Sequence, residues 1–117
     1  MKYSNILIAA IFSIFLASCS SNPVNHDDDL LRFANSNCFF WYFKSKDLNT
    51  DEIKKITAGI VEKSSLSADK FQQVAFLVKD YKPAIETKSD VDVQLAKCFT
   101  LVDDSAFNEE LDKIRSL

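Results

Sequence analysis

This 117-residue chain has one glycine, Gly59, and two prolines, Pro23 and Pro83. Tight hairpins draw on glycine for left-handed backbone, so a fold of strands joined by two-residue turns is close to excluded. The apolar spacing points instead to helices. Leu30, Leu31, Ala34, Cys38, Trp41 and Tyr42 share one helical face, while Phe33, Phe40 and Phe43 occupy other sides. A helix with aromatics nearly all round is expected to be central and buried, with Trp41 filling the core. Asp27, Asp28 and Asp29 suit its N-terminus, and Lys44 and Lys46 its end.

Four more helices follow from the same spacing. Asn49 and Glu52 stand at capping-box spacing before a helix from Asp51 to about Ser64, with Ile53, Ile56 and Ile60 as its stripe. Gly59 inside it costs about 1 kcal/mol relative to alanine, which suggests a close helix crossing there. A third helix runs from Ser67 toward Tyr81, with Phe71, Val74, Ala75, Val78 and Tyr81 inward and Phe76 and Leu77 broadening the stripe. Pro83 ends it. Ser89 and Asp92 form a cap-like pair before a fourth helix that presents Val91, Leu95, Cys98, Phe99 and Val102. The last, Ser105 to about Ser116, presents Phe107, Leu111 and Ile114. The expected fold is all-α, a single small bundle of four to five helices over residues 28–117.

Ahead of that domain stand Lys2, an apolar run from Ile6 to Leu16 broken only by Ser13, then Ala17, Ser18 and Cys19. As a helix the run rises only about 18 Å, against a bilayer core of roughly 30 Å, so it reads as a secretory signal rather than a span. Leu16-Ala17-Ser18-Cys19 resembles a bacterial lipobox. That resemblance implies cleavage after residue 18 and lipidation of Cys19, an ordinary signal peptide cut nearby being the alternative. Several acyl chains on one cysteine make attachment effectively permanent. Residue 20 is Ser rather than Asp, which favours the outer membrane, on its periplasmic side. Residues 19–27 then hold the lipidated cysteine and a tether, whose polar run from Ser20 to about His26 reaches at most about 25 Å.

Cleavage leaves 13 basic residues against 17 acidic ones, a net charge near −4. Such a domain has no general pull toward nucleic acid or anionic lipid, so membrane contact is through the lipid anchor only, and a basic partner surface suits it better. With Cys19 taken by lipid, Cys38 and Cys98 remain as a pair in an oxidising compartment and read as a disulfide, two buried thiols being the alternative. Both fall on apolar stripes, so the bridge is expected to clamp the first and fourth helices.

His26, in the tether, is the only histidine. Ser-His-Asp and Cys-His nucleophilic sites and histidine-based zinc sites are therefore excluded from the folded part, and glycine-rich phosphate loops fail for want of glycine. The pairs Asp103-Asp104 and Glu109-Glu110 offer carboxylates for hydrolysis, but adjacent helical residues point about 100° apart and read as solvated faces. Lys54-Lys55 and Lys79 to Lys82 read as surface too. The expectation is a non-enzymatic protein with no cofactor and no metal site. The interval from Asp80 to Asp92 is the best binding surface, through Asp80, Tyr81, Lys82, Glu86, Lys88 and Asp90, because it combines an aromatic, a proline and alternating charge between two helices. The same composition suits a plain connector.

Ala34-Asn35-Ser36-Asn37-Cys38-Phe39-Phe40-Trp41, Ser67-Ala68-Asp69-Lys70-Phe71 and Lys97-Cys98-Phe99, in a signal-bearing helical chain, resemble the type VI secretion amidase-immunity proteins over roughly residues 30 to 115. The resemblance implies a periplasmic inhibitor that occludes the cleft of a peptidoglycan amidase toxin, and it admits a homodimer. The lipobox departs from that family, many members of which are soluble after export. A structural or assembly lipoprotein of the envelope, binding another protein or peptidoglycan, is the alternative.

Overall fold

The computed structural model describes residues 27–117, apart from the side chains of Asp27 and Asp28. Cys19, the signal segment 1–18 and the tether up to residue 26 lie outside the described residues. Five α-helices follow in order: α1 Asp27–Ser45, α2 Asp51–Lys63, α3 Ala68–Asp80, α4 Val93–Thr100 and α5 Ser105–Arg115, with a 3₁₀ turn at Leu101–Asp103 between the last two. The described residues contain no strand. The bundle is stapled by a Cys38–Cys98 disulfide with Cα atoms 5.4 Å apart.

α1 is the axis and touches every other helix. Its Leu30, Phe33, Ala34 and Cys38 meet Phe71, Val74 and Val78 of α3, Phe107, Leu111 and Ile114 of α5, and Leu101 of the 3₁₀ turn. Phe33 and Phe71 pack edge to face at 5.1 Å. The expectation that α1 is buried nearly all round is not met: Leu30, Phe33 and Ala34 are buried, but Arg32 beside them is exposed, and toward the C-terminal end Trp41, Tyr42 and Phe43 are half-exposed. Length explains the exposure at that end. At 1.5 Å per residue α1 spans about 28 Å and α5 about 16 Å, so the shorter helices cannot cover its full length.

Glycine's usual work falls to short polar side chains. Asp47 takes the left-handed position (φ 55°) that closes α1, with Leu48 N–H donating to Phe43 O and Asp47 N–H to Lys44 O in a Schellman-type end. Asn49 Oδ1 accepts from the Asp51 N–H, and Ser64 Oγ from the Leu66 N–H. Asp92 caps α4 by accepting from Gln94 and Leu95 N–H, and Asp104 caps α5 by accepting from Phe107 N–H.

Four expectations need correction. α2 buries Ile60 and Val61 partly and leaves Ile56 59% exposed. The Thr57 hydroxyl, hydrogen-bonded to Ser36 of α1, takes the inner face, and its neighbour Ile56 lies about 100° round the helix. No helix crosses at Gly59, where an added Cβ would meet nothing within 4 Å. The Asn49–Glu52 capping box does not form, since Thr50 occupies the N-cap of α2 without a side-chain bond. Phe76 is exposed because α3 turns Phe71, Val74 and Val78 inward, and Val91, Phe99 and Val102 are exposed because α4 begins at Val93, after its Asp92 cap, and turns Cys98 inward with Leu101 following.

Candidate functional site

The chain from Tyr81 to Asp92 has neither helix nor strand, and both ends are pinned. At the first end the Tyr81 ring packs on Phe107 at 5.3 Å, and its hydroxyl donates to Asp104 Oδ1 at 2.7 Å. Burial, then the facing Asp104, push this hydroxyl's pKa up to about 12. Asp104 is held below the ordinary carboxylate range, first by the Phe107 N–H and further by Tyr81. At the second end Lys46 Nζ lies 2.7 Å from Asp92 Oδ2 and holds that carboxyl down. The same contact raises Lys46.

Between the pins the segment alternates. Pro83 and Ile85 are half-buried, while Lys82, Ala84 and Glu86 point outward. Pro83 to Glu86 border a shallow cleft of about 320 Å³ whose far side includes Phe99, Thr100 and Asp103. Residues 82–91 make no backbone–backbone hydrogen bond among the described residues. A row of backbone donors and acceptors is thus presented beside a short apolar ledge, in an arrangement that can pair with an extended partner or fill a groove.

The expected contact residues divide by position. Lys82, Glu86, Lys88 and Asp90 are exposed on the segment, Asp80 is the exposed last residue of α3, and Tyr81 is the half-buried anchor. Among the described residues no group of three or more His, Cys, Asp or Glu side chains could hold a metal ion. No described helix is long and apolar enough to cross a membrane.

Sequence reasoning passed over a second feature. Trp41, expected in the core, is half-exposed; its indole N–H donates to Asn37 Oδ1 at 3.0 Å, and the ammonium groups of Lys44 and Lys79 each lie 5.1 Å from its ring centroid. The available signal was the spacing of Trp41 and Lys44, one helical turn apart.

Comparison with known protein families, with curated proteins and with solved structures finds no match to this chain.

Proposed function

We propose that this chain is an envelope immunity protein that binds a peptidoglycan amidase toxin and blocks its active site, with the Tyr81–Asp92 segment as the inserted element. The observation that carries the reading is the pinning of that segment at both ends, by Tyr81 to Asp104 and Asp92 to Lys46. A segment ordered before binding loses little entropy on insertion, as an inhibitory loop requires. The buried disulfide supports an oxidising compartment, where cell-wall hydrolases act. The class of partner is taken from the resemblance of the sequence to the amidase-immunity proteins.

The test is competition between kin. Deleting this gene in a strain whose siblings deliver the amidase that it neutralises is expected to cause lysis of the deletion strain by those siblings. Complementation with K82E/E86K/K88E/D90K, all at exposed positions, is expected to leave it unprotected. Healthy growth of the deletion strain among armed siblings would sink the reading. Phe99, 69% exposed and edge-on to Phe39, favours a second reading as an assembly lipoprotein that docks an apolar surface. Capture of an envelope assembly subunit, with no hydrolase, would support that one.

A further inference from the structure

Three lysines, Lys44, Lys79 and Lys97, line one cavity of about 270 Å³ between α1, α3 and α4, with Trp41, Ser45 and Gln94. No Asp or Glu lines it, although the chain has 17 acidic residues to 14 basic. Among the described residues none of the three ammonium groups stands within ion-pair distance of a carboxylate. Lys44 and Lys79 rest on the Trp41 ring, and Lys97 donates to the Val78 carbonyl oxygen from a partly buried position. Burial holds the Lys97 ammonium below its ordinary pKa, against the opposing pull of Asp80.

Three like charges gathered in one concavity repel, and partial removal of water strengthens the repulsion. The ring quadrupole offsets only part of it. We propose that this cavity binds a phosphate-type dianion, either free or as the monoester of a larger molecule. A phosphomonoester carries close to two negative charges at neutral pH and three strong acceptor oxygens, which matches three ammonium donors. A single carboxylate would leave about two of the charges uncompensated. The donors are all lysines, point charges suited to phosphate, with no arginine fork for a planar carboxylate. The Ser45 hydroxyl, which donates to the Tyr42 carbonyl at 2.7 Å, and the Gln94 side-chain amide stand 2.9 Å apart at the mouth as the neutral polar groups of the lining. At roughly 270 Å³ the space falls just under the usual range for small-molecule pockets, so it suits a phosphoryl group with few attached atoms. The site stands whether or not the chain binds a toxin.

Trp41 is the only tryptophan, so its emission reports directly on the cavity. The full chain is titrated with inorganic phosphate, with glycerol 3-phosphate and with vesicles containing phosphatidic acid, each against chloride at matched ionic strength. A saturable emission change is expected with phosphate or its monoesters, at least tenfold weaker in K44Q/K79Q, whose two positions are exposed. A response to both soluble ligands supports a free solute, and a response to the vesicles alone supports a lipid headgroup. No change beyond the chloride control in the native chain overturns the proposal. So does saturation by a polyglutamate peptide with no response to any phosphate.

Discussion

The Tyr81 hydroxyl and the Phe107 N–H share one oxygen, Asp104 Oδ1, at 2.7 and 3.0 Å. Their titrations pull stability down at opposite ends of the pH scale. Tyr81 has its pKa raised in the fold, so its contribution is complete below the ordinary value of 10 and is lost as pH rises toward about 12. Asp104 has its pKa lowered, so its contribution is complete above the ordinary 3.8 and is lost as pH falls below that. Thermal unfolding followed across pH is expected to show the alkaline decline in the native chain and a shallower one in Y81F. D104A is expected to cost about 1 kcal/mol at neutral pH through the lost cap. Tyr81 was legible in the sequence as an inward residue, from its place on the α3 stripe. Its partner 23 residues away was not, because that pairing depends on how α3 and α5 meet. Ile56 and Phe76 were misread for a related reason. A short helix with apolar side chains on more than one face can roll, and the Ser36–Thr57 hydroxyl contact settles which face of α2 turns inward.

Helices were the most legible level. With glycine and proline so scarce, polar caps and apolar stripes mark where each begins and which way it faces, and the observed ends of α2, α3 and α5 fall within about a residue of those expected. The start of α4 was harder to read, since Ser89 and Asp92 are both good cap residues and only Asp92 is seated to accept from the following N–H groups. Gly59 was read as marking a crossing, yet the space over its Cα is open. Gly59→Ala is therefore expected to raise stability by about 1 kcal/mol, measured as a higher urea midpoint with unchanged slope. A loss of stability would mean that a neighbour approaches that face of α2. The exposed segment was legible as a helix break with mixed charge. The lysine cavity was not, because its walls come from three helices far apart in sequence and each lysine alone reads as an ordinary solvated charge.

For the whole molecule the Cys38–Cys98 bond sets the scale, tying residues 60 apart through a core in which both are buried. In the chain-entropy picture such a loop contributes roughly 4 kcal/mol. That is a large share of the 5–15 kcal/mol typical of a small domain. C38A/C98A is expected to lower the urea midpoint accordingly, while an equal midpoint would place the stability in the α1–α3–α5 packing alone. The pairing was legible by counting, since assigning Cys19 to lipid leaves an even pair. The bond also changes what a cut does. Lys88 is exposed on the one long non-helical stretch among the described residues, and it lies between the two cysteines. Trypsin cleavage there is expected to give one band on a non-reducing gel and two after reduction. A clipped molecule would travel as one piece, its backbone severed at the surface and its halves still joined through the centre.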